Sequence, residues 1–147
     1  MDVDTKAAVV QAVSSDLYVG TTPSNHALAI DTDHLRHSAP SPMELLLIAL
    51  GSCTAVDVAT ILRKKRQDVK DYRIEVRGFR RTEHPRSYER LPVHHIVTGR
   101  SISEHFVAQA IELSETKYCS VAATLRPAAE IVSTFEVIQV GHDSKTE

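Results

Sequence analysis

Alternating apolar and polar positions in the first third of the chain predict three short strands. The alternation runs through residues 9–13, 17–19 and 27–30, and this period of two is typical of strands with one solvated face. Residues 14–16 and 21–25, which separate these segments, are rich in turn formers. We therefore expect an antiparallel arrangement that ends in a loop over residues 31–40.

A long helix is predicted to begin at the sequence Ser41-Pro42-Met43-Glu44. Ser41 is suited to the N-cap position, and the Glu44 carboxylate can accept a hydrogen bond from the backbone N–H of the cap. Between residues 45 and 62 the only ionisable side chains are Cys53 and Asp57. Because this helix is apolar around most of its circumference, we expect it to be buried on nearly all sides at the centre of the core.

The second half of the chain alternates between strand-like and helix-like segments. Period-two patterns predict strands there, and apolar positions at helical spacing predict helices. In chain order the predictions are strands at 72–81 and 91–97 around a polar turn at 83–87, a second capping box at 101–104, an amphipathic helix over 106–113, a break near 114–118, a short helix at 119–125 and a last strand at 131–140. The fold class is therefore α+β. A chain of 147 residues predicts one domain over residues 1–147, with a core at about 7–140 and a polar tail at 141–147.

Composition and charge argue against several partners. A net charge of −2 gives no general attraction to nucleic acid or to an anionic membrane. The basic run at 63–66 follows the apolar helix, where cations complement the negative end of the helix dipole. Residues 1–11 contain no apolar segment like that of a signal peptide, and the longest apolar run, residues 45–50, is far shorter than a membrane span. We therefore expect a soluble, cytoplasmic protein with no nucleic-acid and no membrane partner.

The two cysteines are the main candidates for chemistry. Without a signal peptide, Cys53 and Cys119 are expected to be reduced at rest. Cys53 lies in the apolar helix, where a cysteine is often a packing residue, and Asp57 one turn later would raise its pKa. Cys119 lies next to Lys117–Tyr118 at an expected helix start, a setting that favours a thiolate. Local sequence thus predicts that Cys119 is the more acidic thiol, and a purely structural role stays open for both.

Metal and cofactor sites are not expected. The chain has eight histidines, but His94 and His95 are neighbours on a predicted strand and should point to opposite faces. There is no pair of cysteines at CxxC spacing, no glycine-rich phosphate loop and no dinucleotide fingerprint. The weakest alternative is a metal site that combines one of these two histidines with a cysteine.

Several stretches carry a resemblance to a known family. They are Ser41-Pro42-Met43-Glu44 with Gly51-Ser52-Cys53, Arg66-Gln67-Asp68-Val69, Val97-Thr98-Gly99-Arg100 and Lys117-Tyr118-Cys119-Ser120-Val121. In these features the chain resembles the OsmC/Ohr family, the osmotically inducible and organic hydroperoxide resistance proteins, over roughly residues 7–140. It is most similar to a functionally obscure OsmC-like subfamily. The resemblance implies an intertwined homodimer, with antiparallel sheets wrapped around long central helices and paired thiols near the interface.

The resemblance also implies a chemistry, namely the reduction of organic hydroperoxides in the oxidative stress response. By residue matching, Cys53 is the peroxidatic thiol and Cys119 the resolving thiol, which requires the two to lie close together. An external thiol reductant is implied, and no cofactor. Active family members place a glutamate directly after the helix-opening proline, where this chain has Met43, and the candidate to replace it is Glu44. They also supply an arginine from the N-terminal strands to activate the thiolate. The first arginine of this chain, Arg36 in the loop before the helix, is the candidate for that role.

A different function remains open at this point. The shifted glutamate and the lack of an arginine in the first strands favour a protein that keeps the fold and the thiols without turnover. Such a protein would bind a small apolar or electrophilic ligand, or sense redox state. Whether the chain is an enzyme is therefore not decided by the sequence.

Overall fold

The computed structural model describes residues 4–141, and its first element is the predicted antiparallel sheet of three strands. These are β1 (Val9–Ser14), β2 (Leu17–Thr21) and β3 (Ala27–Asp31), which pair in the order β1-β2-β3. The two turns contain Asp16 and Asn25 at φ 59° and 62°, a left-handed conformation that Asp and Asn tolerate better than most residues. The prediction of three strands is confirmed.

Helix α1 (Pro42–Lys64) begins with the predicted capping box. The Ser41 backbone N–H donates to the Glu44 carboxylate at 2.8 Å, and the Glu44 N–H donates to the Ser41 hydroxyl at 3.3 Å. These two bonds satisfy donors that a helix start otherwise leaves without partners. The helix start is therefore placed where the sequence predicts it.

Burial of α1 differs from the prediction. Leu50, Val58 and Leu62 are buried, whereas Ile48 and Val56 are 58% and 60% exposed. The expectation that the helix is buried on nearly all sides is wrong for the single chain, because only part of its apolar circumference is covered by this chain's own elements.

Length and composition alone make α1 the one described helix that could cross a membrane. The core helix of a soluble protein meets the same criterion, so the observation is weak. The sequence-based argument that the apolar run at residues 45–50 is too short to span a membrane is wrong, because the apolar stretch of α1 continues beyond that run. The absence of a membrane partner stays a prediction.

A second, four-stranded sheet follows α1. Its strands are β4 (Asp68–Val76), β5 (Phe79–Arg80), β6 (Tyr88–Arg100) and β7 (Glu130–Gln139). The long strand β6 pairs antiparallel with β4 and β5 and parallel with β7. From Leu91 to Arg100, side chains of β6 alternate between buried and half-buried positions, as expected for a central strand with one face on a core.

The segment between β6 and β7 contains α2 (Glu104–Leu113), a π-helical turn (Ser114–Tyr118) and α3 (Ser120–Leu125). The short helix after residue 118 is confirmed, whereas the predicted break at 114–118 is a π-helical turn that continues α2, and the chain becomes extended only at Cys119. The N-cap of α2 is Ser103, whose hydroxyl accepts from the Phe106 N–H at 3.3 Å. The predicted capping box starting at Ser101 is therefore wrong: Ser101 has φ 50° and belongs to the turn before the cap.

The described chain falls into two compact units that divide between Leu46 and Leu47. The core of the second unit is a cluster of buried aliphatic side chains from α1, β6, α2 and the turn before α2. Its members are Val58, Leu62, Val97, Ile102, Val107, Ala110 and Ile111. A single domain over residues 1–147 stays a prediction, and the predicted polar tail lies, beyond Gly141, outside the described residues.

Candidate functional site

The two cysteines meet inside the second compact unit. Cys53 lies in the middle of α1, and Cys119 is the N-cap residue of α3. Both are free thiols, and their side chains approach to 3.3 Å. A disulfide requires a sulfur–sulfur distance of about 2.05 Å, so the two thiols are close but not bonded. The predicted proximity is confirmed, while the catalytic roles of Cys53 and Cys119 stay predictions.

The surroundings of Cys119 make it a buried, hydrogen-bonded thiol. It is 3% exposed, and its sulfur accepts a hydrogen bond from the Ala122 N–H at 3.3 Å. The Thr54 hydroxyl lies 3.5 Å from the same sulfur. Burial raises the pKa of Cys119, the contacts with Thr54 and Ala122 oppose that change, and the adjacent Cys53 thiol adds to it.

The prediction of an acidic Cys119 is therefore wrong, although its local premise is right. Cys119 does cap a helix, and a backbone N–H does reach its sulfur. Removal from water disfavours the thiolate more strongly than these contacts favour it. Cys53, by contrast, is only half-buried, so it is the thiol that solvent reaches more easily.

Asp57 has the hydrogen-bond partner that the sequence does not reveal. The Ser114 hydroxyl donates to the Asp57 carboxylate at 2.9 Å, and Ser114 is completely buried. The Ser114 carbonyl oxygen in turn accepts from the Cys119 N–H at 2.8 Å. Ser114 therefore connects a carboxylate of α1 to the backbone of Cys119.

Sequence reasoning missed Thr54 and Ser114 as neighbours of the thiols. Thr54 and Asp57 follow Cys53 by one and four residues, and the fourth residue along a helix lies on the same face. That spacing is a usable signal for the α1 side of the site. Ser114 carries no comparable signal beyond its position at the predicted helix break.

Arg36 and Glu44 lie in the first compact unit, each in a local interaction. Arg36 donates from Nε and Nη2 to the two carboxylate oxygens of Asp31 at 2.8 and 2.9 Å. This guanidinium and the Ser38 hydroxyl hold the pKa of Asp31 far below its usual range. Glu44 forms the capping box at the start of α1. The activating roles of Arg36 and Glu44 stay predictions.

His94 and His95 point to opposite faces of β6, as predicted. His95 is completely buried, and its Nδ1 lies 2.7 Å from the Tyr72 hydroxyl. Burial lowers the pKa of His95 to about 4, with a smaller contribution from His94. His94 is partly exposed and lies 2.8 Å from the Thr134 hydroxyl.

No cluster of three or more His, Cys, Asp or Glu side chains suited to a metal ion occurs within residues 4–141. His142 lies outside the described residues.

An apolar cleft lies between α1 and β4. It is open to solvent, with a volume of about 390 Å³, and its walls include Gly51 and Ser52 of α1 and Ile74 and Val76 of β4. A side chain at Gly51 would approach Val76 to 3.1 Å, so glycine is what permits this close packing of helix and strand. The cleft could hold a small apolar molecule, and Cys53 is not among its lining residues.

Known proteins are similar to this chain in sequence and in structure. The family model of the OsmC-like proteins matches residues 35–134. Protein YhfA of Escherichia coli (strain K12) is 42% identical over 131 residues, which cover 89% of this chain and 97% of YhfA. A hypothetical protein from Aquifex aeolicus VF5 of known crystal structure is 33% identical, with a TM-score of 0.85 over 95% of this chain and all of the other.

A more distant structural match comes from a protein named for hydroperoxide resistance. The organic hydroperoxide resistance protein OhrB of Bacillus subtilis is 10% identical, with a TM-score of 0.64 over 90% of this chain and 98% of OhrB. At this identity the match shows a shared fold only. The predicted α+β fold with a long central helix is confirmed.

Proposed function

Because the chain belongs to the OsmC-like protein family, we propose that it reduces organic hydroperoxides with the thiols of Cys53 and Cys119. The observation that carries the proposal is the pairing of a half-buried thiol with a buried one, their side chains 3.3 Å apart. The hydroperoxide resistance named for OhrB supports the same chemistry in this fold.

The proposed reaction assigns one step to each thiol. The Cys53 thiolate attacks the terminal oxygen of the hydroperoxide, the O–O bond breaks, and the substrate leaves as an alcohol after taking up a proton. Cys53 is thereby oxidised to a sulfenic acid. The Cys119 thiol then attacks the Cys53 sulfur and displaces water, which leaves a disulfide. An external dithiol reduces that disulfide and returns both thiols.

Peroxide consumption coupled to thiol loss tests the proposal. The reduced protein is mixed with cumene hydroperoxide, with hydrogen peroxide as a parallel substrate, and dithiothreitol serves as the external reductant. We expect catalytic loss of cumene hydroperoxide. Without dithiothreitol, we expect one equivalent to be consumed, with a loss of two thiols and two mass units per chain. If the mass and thiol count stay unchanged while peroxide remains, the proposal is wrong.

A second candidate function is binding of a small apolar ligand without turnover. The cleft between α1 and β4, with its apolar walls and a volume of about 390 Å³, favours it. Equilibrium binding of a non-oxidising analogue, cumyl alcohol, distinguishes the two functions. Saturable binding together with unreactive thiols supports the binding protein, whereas catalytic turnover supports the peroxidase.

We also propose that the protein is a homodimer. Val9, Val10 and Val13 of β1 are each more than half exposed, as are Ile48 and Val56 of α1. Several exposed apolar side chains on one strand or one helix commonly mark a protein interface. A second copy of the chain is the simplest partner, because oligomers of soluble proteins are mostly symmetric assemblies of identical chains.

A further inference from the structure

Two side-chain contacts connect the segments that carry the two thiols. Thr54, directly after Cys53 in α1, reaches the Cys119 sulfur at 3.5 Å. Asp57, one turn after Cys53, accepts a hydrogen bond from Ser114 at 2.9 Å. One contact therefore reaches the Cys119 side chain, and the other reaches the turn that precedes it.

The π-helical turn determines where Cys119 lies. A π-helix places one more residue in the turn than an α-helix does, and its bonds join residue i to residue i+5. Here the Ser114 carbonyl accepts from the Cys119 N–H at 2.8 Å, after which the chain becomes extended, with Cys119 at φ −73° and ψ 102°. The position of Ser114 thus sets the point at which the chain leaves the helix and turns the Cys119 sulfur inward.

The turn is also held on its other side. Glu115 accepts a hydrogen bond from Ser133 of β7, and the Arg126 guanidinium donates to the Glu115 carbonyl at 2.9 Å. The Ser114 hydroxyl bond joins the turn to α1. Ser114 is completely buried, so water cannot readily replace a lost bond there.

We propose that Asp57 and Ser114 are positioning residues for Cys119: their hydrogen bond anchors the π-helical turn to α1 and keeps the Cys119 sulfur within reach of Cys53. The role in peroxide turnover rests on the proposed function. The positioning itself does not, because any reaction that forms the Cys53–Cys119 disulfide depends on it.

The equilibrium with glutathione measures this positioning without a peroxide. Oxidised glutathione takes two electrons from the thiol pair and leaves as two molecules of reduced glutathione, while Cys53 and Cys119 form a disulfide. The equilibrium constant therefore reports how well the folded chain presents one thiol to the other. The variants are Ser114→Ala, Asp57→Ala and Asp57→Asn. The matched control is Thr116→Ala, which removes an exposed hydroxyl that donates to the Glu112 carbonyl.

We expect Ser114→Ala and Asp57→Ala to lower this equilibrium constant by about tenfold or more, since small misplacements of reacting groups have large effects. Asp57→Asn should stay within about threefold of the wild-type protein, because an amide oxygen still accepts from the Ser114 hydroxyl. Thr116→Ala should leave the constant unchanged. Alkylation of Cys53 by iodoacetamide should keep its rate in Ser114→Ala and Thr116→Ala, because neither substitution changes a residue of α1.

Two results overturn the proposal. One is an equilibrium constant with glutathione that is the same in Ser114→Ala and Thr116→Ala. The other is a decrease of this constant in Asp57→Asn that is as large as the decrease in Asp57→Ala. If Ser114→Ala does not fold, as judged by circular dichroism, the comparison of Asp57→Ala with Asp57→Asn tests the proposal by itself. A wild-type protein with the expected glutathione behaviour but no peroxide consumption overturns the proposed function and leaves the positioning roles standing.

Discussion

The two thiols differ in their access to solvent and in their hydrogen bonds. Cys53 is half-buried, whereas Cys119 is 3% exposed and is contacted by a backbone N–H and a hydroxyl. A thiol that attacks a dissolved substrate has to be reachable, and one that attacks a neighbouring sulfur does not. This difference supports assigning the first step to Cys53 and the second to Cys119.

Serine substitutions test that assignment. Cys53→Ser should abolish peroxide consumption, because a serine hydroxyl is not appreciably ionised at neutral pH and does not attack the O–O bond. In Cys119→Ser, Cys53 should react once and then remain a sulfenic acid or become over-oxidised. Dimedone labelling followed by mass spectrometry measures the sulfenic acid. Oxidation of Cys119 alone, with Cys53 inert, would reverse the assignment.

The buried His95 gives a pH-dependent stability. Its folded pKa of about 4 lies below its ordinary value of 6.5, so below pH 6.5 the unfolded chain takes up a proton that the folded protein excludes. Stability should therefore fall as the pH drops from 6.5 towards 4, and the effect ends near 4, where the folded protein also becomes protonated. The expected decrease in the free energy of unfolding over this pH range is about 3 kcal/mol.

The variant His95→Gln isolates this effect from the other titrating groups. It removes the titration while keeping a side chain that can bond to the Tyr72 hydroxyl. Urea unfolding at a series of pH values, at one protein concentration, should show a steeper loss of stability in the wild-type protein than in the variant. A difference between the two proteins that stays constant from pH 7 to pH 4.5 contradicts the prediction.

The sequence identifies the two cysteines as the candidate site, but it does not contain the environment that decides their properties. A helix start next to Lys117 points to an acidic Cys119, whereas burial by residues distant in sequence outweighs that local effect. Ser114 and Asp57 are 57 positions apart, so no local pattern joins them. Only the family resemblance anticipates that Cys53 and Cys119 approach each other.

At the level of the elements, local signals predict boundaries better than pairing. The capping box at Ser41 depends on neighbouring residues and lies where expected. The end of α2 was expected near 114–118, where α-helix changes to a π-helical turn. The parallel pairing of β7 with β6 has no such local cause, because period-two alternation shows which face of a strand is buried but not which strand lies beside it. The exposed side of α1 was missed because composition does not reveal what covers a helix.

Gly99 tests the close packing of strand β6 against its neighbours. A side chain there would collide with the Asp68 backbone carbonyl and with Ile102. Since a carbonyl in a paired strand cannot move aside easily, we expect Gly99→Ala to lower the free energy of unfolding by about 2 kcal/mol or more. Urea denaturation measures this.

Gly141→Ala is the matched control, since no atom of residues 4–141 lies within 4 Å of a side chain placed there. Its free energy of unfolding should stay within about 0.5 kcal/mol of the wild-type value. Equal stabilities of the Gly99 and Gly141 variants would show that β6 does not pack as described.

At the scale of the whole molecule, exposed apolar side chains occur in both compact units. β1 exposes Val9, Val10 and Val13, and α1 exposes Ile48 and Val56. Single exposed aliphatic residues are ordinary in soluble proteins, but several along one strand and one long apolar helix are not. Under the proposed homodimer, we expect a second copy to cover the exposed side of α1, which is more apolar than its own chain buries.

Light scattering and a charge substitution on α1 test the homodimer. The wild-type protein should have twice the mass of one chain at micromolar concentration. Val56→Glu should raise the dissociation constant of the dimer by at least about tenfold, because an unpaired carboxylate is costly to bury in an interface. The matched control is Val132→Glu on β7, where a valine is also exposed, at 40%. This control replaces the same residue type and should leave the dissociation constant of the dimer unchanged. A wild-type protein that is monomeric under these conditions refutes the dimer, and a dimer disrupted equally by both substitutions places the interface elsewhere than on α1.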